Sequence, residues 1–226
     1  SRREYTKINP FIVLLGKGDH QITSGWIDHN GAESVTTLGI TRNNITFVGK
    51  GKDITTILGG FSIDNFENIT FKNMTVTNTT ENGIGIHVRN AKVELVDVAL
   101  KGCGSSALYI LTSTSTTVVA ATRCEFAHNG DCGAVIGGSS SAKFDNCVFN
   151  DNEYEGFEGS DHATIHLHGE ATAIHSNVFN GISASDYSKV IIHLPSHHNT
   201  TYNNGDEDRN TKKNWEEDGS ITNVED

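Results

Sequence analysis

The chain has 226 residues, 35% of them hydrophobic, with 23 glycines against 2 prolines and an abundance of Asn, Thr and Ser. That length supports one substantial core, and no apolar run is long enough for a membrane-spanning helix, which excludes such a span. The formal net charge of −11 opposes binding of nucleic acid and, without local positive charge or a bridging cation, of polyanionic sugars.

The first apolar stretches are Phe11-Ile-Val-Leu-Leu15 and Gly18-Asp-His-Gln-Ile22. They are predicted to begin and cap the fold, with Trp26 covering its apolar end. The opening Ser1-Arg-Arg-Glu-Tyr5 has no signal-type apolar run. Sequons at Asn44, Asn68, Asn73, Asn78 and Asn199 tilt the localisation, otherwise unread, towards an extracellular or virion-associated setting.

A repeat then governs the chain. Asn44-Ile-Thr-Phe47, Asn68-Ile-Thr-Phe71 and Lys92-Val-Glu-Leu95 recur at a step of 24 residues. Thr117–Ala121, Ala142–Phe144 and Ala173–Ile174 continue the series. A second alternating run follows each, as in Met74–Val76, Val98–Leu100, Cys124–Phe126, Cys147–Phe149 and Asn177–Phe179. Most end in a turn residue such as Asn78, Asn129, Asn150 or Asn180. A third run reads Phe61–Ile63, Ile84–Val88, Ala107–Ile110, Ala134–Ile136, Ala163–Leu167 and Val190–Leu194, at steps of 23, 23, 27, 29 and 27. Three short alternating strands per step, with Asn and Gly turns, predict an all-β, right-handed parallel β-helix of about seven coils. Hexapeptide periodicity, the mark of the left-handed kind, is absent. The longer late steps place a loop insert at residues 151–161.

The domain reading is a β-helix over 1–205, including its cap, and an acidic C-terminal tail over 206–226. That tail holds eight acids against three bases, with Trp215 as an anchor. The four cysteines lack zinc-type spacing. Cys124 and Cys147 share a place in successive coils as inward thiols, and Cys103 and Cys132 share a turn position. Free thiols are the expectation, with rung-to-rung disulfides the alternative.

On these residues the chain resembles the pectin-lyase-like superfamily, most clearly at Ile45-Thr-Phe-Val-Gly-Lys-Gly-Lys-Asp-Ile-Thr-Thr-Ile57. The segment Ile192–Asn204 is similar to uncharacterised β-helix proteins of algae, other protists and their large viruses. The resemblance implies polysaccharide lyases, hydrolases, esterases or epimerases, and equally non-catalytic adhesins and viral fibre parts. Its catalytic patterns are not matched. There is no Asn-Thr-Asp with a downstream Asp-Asp pair and Gly-His-Gly, no Asp-Pro-x-Asp, and no Asp cluster of the calcium-dependent lyase type.

Aligning the third run by its starts predicts an outward column of Asp64, His87, Ile110, Gly137, His166 and His193. A second column holds Phe66, Arg89, Thr112, Ser139, His168 and Pro195. Two candidate constellations follow. In the first, Asp64 orients His87 as a general base, Arg89 neutralises a uronate or oxyanion, and Tyr109 supplies an acid. Tyr109 belongs there only if Leu108 and Ile110 point inward rather than Ala107 and Tyr109.

In the second, His166, His168 and His193 hold zinc or another transition metal, or contact substrate together with Arg89. His162, His175, His197 and His198 lie nearby in sequence. For both sets the plain alternative is a solvated polar face. The leading functional reading is a non-catalytic module presenting an elongated face to a neutral glycan or a protein partner, with oligomeric state left open. The alternatives are a lyase or epimerase acting on a uronic-acid-containing glycan, and a His-based metal-dependent hydrolase.

Overall fold

The computed structural model describes residues 4–23, 26–27, 33–34, 36–111, 116–193, 200–211 and 217–225, the pairs 26–27 and 33–34 by backbone only. The expectations for the side chain of Trp26 and for Thr112, Pro195, His197, His198, Asn199 and Trp215 lie outside the described residues. Among those described there is no helix, and the chain winds as a parallel β-solenoid of about seven turns.

Each turn lays strands on three faces. Face one stacks Phe11–Leu14, Ile45–Val48, the first halves of Ile69–Thr77 and Lys92–Lys101, then Val118–Thr122, Ser141–Asp145, Thr164–His168, Lys189–His193 and Ser220–Val224. Face two stacks Gly18–Gln21, Thr55–Leu58, the second halves of the same two long strands, then Glu125–Ala127, Val148–Asn150, Ala173–His175 and Thr201–Tyr202. Face three stacks Thr37–Gly39, Gly60–Asp64, Ile86–Arg89, Leu108–Leu111, Ala134–Ile136, Phe157–Gly159, Ile182–Ala184 and Arg209–Asn210.

The bends between faces carry residues in the left-handed region. Asn73, Asp97, Arg123 and Asn146 sit between faces one and two, and Gly102, His128, Asp151, Ser176 and Asn203 follow face two. Most are Asn, Asp or Gly, which tolerate positive φ at least cost. Inside, alternate residues form continuous ladders. Phe47 stacks on Phe71 at 5.1 Å, Phe126 on Phe149 at 4.5 Å, and Phe144 meets both of the latter edge-on. Parallel pairing across neighbouring turns satisfies the backbone, and each coil buries its apolar edge only on its neighbours.

A second ladder is polar and buried. Asn129 donates to Asn152, Asn152 to Asn177 and Asn177 to Asn204, each from Nδ2 to Oδ1 at 2.8 Å. Cys103 occupies the preceding rung and donates its backbone N–H to Asn129 Oδ1 at 3.0 Å. All four cysteines are free and buried.

The structure revises the late repeat. Thr164–His168 pairs with Ser141–Asp145, and Lys189–His193 with Thr164–His168, so both runs belong to face one rather than to the third run. The true third-face successors of Ala134–Ile136 are Phe157–Gly159 and Ile182–Ala184. Residues 151–161 are therefore an ordinary part of a coil, since they contain a face-three strand. Ala173–His175, not Asn177–Phe179, continues the second run, and Asn177 belongs to the amide ladder. Within the stretch read as an acidic tail, Arg209–Asn210 pairs with Ile182–Ala184 and Ser220–Val224 with Lys189–His193.

Candidate functional site

Three outward surfaces carry chemistry, one on each face. On face three the register pairs Ser62, His87, Tyr109, Val135 and Glu158 in one column, and Asp64, Arg89 and Leu111 in the next. Asp64 therefore lies beside Arg89 and not beside His87. Arg89 grips it through two nitrogens, Nε to Oδ1 at 3.1 Å and Nη2 to Oδ2. A bidentate charge-assisted pair of this kind, with both side chains at most a quarter exposed, commits the guanidinium to structure.

His87 instead neighbours Tyr109, the ring centroids 5.7 Å apart. Leu108 and Ile110 are fully buried, so Tyr109 points outward and Ile110, placed in the outward column by the sequence, points in. Gly137 is buried as well. Burial, reinforced by Glu158, Asp131 and Asp161, pushes the Tyr109 phenol up and keeps it protonated. Burial likewise raises the Glu158 carboxyl, helped by Glu155, Asp131, Asp186 and Asp161.

On face one, His166, His168 and His193 converge. The His168 and His193 rings stack at 3.9 Å, and His166 Nδ1 lies 2.9 Å from His193 Nε2. His193 is thus the rung partner of His168, one step along from the placement beside His166 expected from sequence, and His166 faces Ile191. Neither histidine strand shares a column with Asp64 and His87. Burial, then the nearby His193 and Lys143, holds the His166 imidazole below its usual pKa, favouring the neutral ring.

Face two carries a groove that the sequence reading missed. Its outward positions include Thr56, Thr75, Ala99, Glu125 and Val148 in one column, and Ala127, Asn150, His175 and Tyr202 in the other. Ala99 and Ala127 are small and fully buried, so the hollows are lined by the residues around them. Two hollows of about 400 and 520 Å³ open on this face and share Lys52 as a wall. Lys52 Nζ bridges across to the Arg123 carbonyl at 3.3 Å.

The first hollow adds Arg123, Glu125, Asn146, Asn150 and His175. The second adds Asp53, Thr75, Thr77, Lys101 and His128. Asp97 holds Arg123 through two bonds of 2.8 and 2.7 Å, and this arginine keeps the Asp97 carboxyl below the usual range. The bases Lys52, Lys101 and Arg123 are balanced by Asp53, Glu125 and Asp97, so the lining is polar and close to neutral. At one end Tyr202 stacks on His175 at 4.9 Å and is 37% exposed. No single run in the sequence marks it, because its lining comes from several coils.

The family described as "Right handed beta helix region" matches residues 25–205. A pectin methylesterase solved in complex with a hexasaccharide superposes with a TM-score of 0.52 at 12% identity, covering 90% of this chain and 73% of that one. Pectin methylesterase PemA from Erwinia chrysanthemi gives a TM-score of 0.50 at 12% identity, with the same coverage of both chains. A mannuronan C-5 epimerase A-module from Azotobacter vinelandii gives 0.41 at 13% identity, covering 96% of this chain and 87% of that one. No curated protein sequence matches.

Proposed function

The chain belongs to the right-handed β-helix family, and on that premise we propose that it is a non-catalytic module that binds a glycan of low charge along face two. The observation that carries this reading is the groove itself. Its lining sets donors beside acceptors, Lys52, Thr75, Lys101, Glu125, Asn150 and His175 among them, and at one end an exposed tyrosine stacks on that histidine. Hydroxyls, amides and balanced charges match sugar hydroxyls, which both donate and accept. An amphipathic ring offers apolar area at small entropic cost. The balanced lining also suits a neutral chain in a protein whose overall charge is −11.

Native gel electrophoresis through matrices containing neutral glucans, galactans or pectate tests the proposal. Retardation is expected in a neutral matrix, weakened about tenfold by Lys101→Ala or Tyr202→Ala, which corresponds to roughly 1.4 kcal/mol. Passage unretarded through every matrix, or retardation untouched by both substitutions, would refute it.

A second reading, a polysaccharide lyase or epimerase, draws on the His87–Tyr109 contact and the protonated Tyr109. It loses Arg89 as a free uronate clamp, because Asp64 already holds it. Release of an ultraviolet-absorbing unsaturated uronate, or proton exchange at a uronate carbon, abolished by Tyr109→Phe, would favour that reading over the first.

A further inference from the structure

We propose that His166, His168 and His193 form an open, three-imidazole site for a divalent transition metal, with zinc the principal candidate. The site lies on face one and stands independently of the glycan groove on face two.

Its construction follows from strand geometry. Thr164–His168 and Lys189–His193 run parallel as neighbours, with Ile165 opposite Val190 and Leu167 opposite Ile192, all four buried in the core. Alternation then forces residues 166, 168, 191 and 193 outward on the same side. A His-x-His pair on one strand and a single histidine on the next supply three nitrogens from rigid elements rather than from loops.

The nitrogens meet the requirements of coordination. One donor atom from each of the three residues falls within 4.8 Å of the others, and one pair is already 2.9 Å apart. Zinc–nitrogen bonds of about 2.0–2.1 Å in a tetrahedron require nitrogens about 3.3 Å apart. Rotations of side chains at a partly exposed surface bridge that difference. Three uncharged nitrogen donors with no carboxylate among them select zinc, copper, nickel or cobalt over calcium and magnesium, which prefer oxygen. Three protein ligands leave a fourth position for water. On the preceding rung Asp145 is the register partner of His168 and Lys143 that of His166, so an acid and a base flank the site. Asp145 is the candidate to orient a ligand ring from outside the coordination sphere.

The test uses the full chain cleared of metal by a chelator and titrated with zinc, copper and nickel salts by calorimetry and by competition with a chromophoric chelator. The expected result is one tight equivalent per chain for at least one of the three metals. His168→Ala and His193→Ala should weaken it by more than about 100-fold, beyond the 10–100-fold typical of changes outside the coordination sphere. His175→Ala, on face two, should leave it unchanged. X-ray absorption of the loaded protein should report three nitrogen ligands at about 2.0–2.1 Å for zinc. If His168→Ala lowers the melting temperature, His168→Asn serves as the milder replacement and should weaken binding in the same way. The proposal is overturned if no metal binds stoichiometrically, or if binding survives the paired replacement of His166 and His193. Weak, multi-equivalent uptake spread over the chain's 11 histidines would overturn it equally.

Discussion

Replacing Asn152 by alanine removes one rung of the buried amide ladder, and the hydrogen bonds define the cost. Asn152 Nδ2 donates to Asn177 Oδ1 at 2.8 Å and to the Phe126 carbonyl at 3.1 Å. Its Oδ1 accepts from Asn129 Nδ2 at 2.8 Å and from the Asn129 N–H at 3.3 Å. Asn177 Oδ1 keeps the Asn152 N–H and the Phe126 carbonyl stays within its parallel ladder, so the groups stranded by the change are the two Asn129 donors. Asn129 Nδ2 retains only a 3.5 Å contact with the Leu100 carbonyl. Each buried group left without a partner costs about 1–3 kcal/mol, which brings the loss for the two to about 2–6 kcal/mol. For a domain of this size that lowers Tm by roughly 10 °C, at about 2–4 °C per kcal/mol. Calorimetry of the wild type and Asn152→Ala measures it, with the exposed Ser139→Ala as a control expected to stay within about 0.5 kcal/mol. A fall of less than about 2 °C for Asn152→Ala, at the lower end of the effect of a single kcal/mol, would refute the claim that the ladder supports the coils.

Gly104→Ala would set a Cβ 1.9 Å from the Thr80 carbonyl oxygen, which is backbone of the adjacent coil and cannot swing aside. Urea melts should show a loss of at least about 3 kcal/mol, in the range of severe core lesions. Glu158 has its carboxyl raised by burial, so it binds a proton more tightly folded than unfolded. Stability is then gained as pH falls through its folded pKa and lost as pH rises through it. Glu158→Gln should accordingly raise Tm at alkaline pH and flatten its decline above the ordinary glutamate range, read from Tm against pH. Burial pushes the Cys103 thiol to about 11 and the Cys132 thiol higher still, so both should resist a thiol reagent in the folded protein at pH 8 and react in denaturant, as mass spectrometry of labelled peptides reports.

Much of this molecule was legible in the sequence. Runs such as Ile69-Thr-Phe71 and Val93-Glu-Leu95 alternate strictly, and the buried partners Ile69, Phe71, Val93 and Leu95 are those the alternation assigns to the core. Register was the weak point. Aligning Phe61 with Ile84 slips the true pairing of Phe61 with Ile86 by two residues, which preserves the face but exchanges Arg89 for His87 as the neighbour of Asp64. Aligning Ile110 with His87 slips it by one, and a slip of one turns every side chain over.

The late third-face strands are only three residues long, so Phe157–Gly159 and Ile182–Ala184 show little alternation. The stronger five-residue patterns at Thr164–His168 and Lys189–His193 drew the assignment instead. The histidine grouping was legible because His-x-His fixes a shared side whichever face the strand occupies. The groove was not, because it is made of residues from different coils, with Lys52 joining Arg123 across 71 positions of sequence.

The most direct test of the glycan reading is hydrogen–deuterium exchange of the full chain with and without the neutral polysaccharide that retards it most. The account predicts slower exchange in the face-two strands, residues 75–77 and 99–101 with Glu125–Ala127, Val148–Asn150, Ala173–His175 and Thr201–Tyr202, with face three around His87 and Tyr109 unchanged. Protection confined to face three, or spread evenly over all three faces, would contradict it.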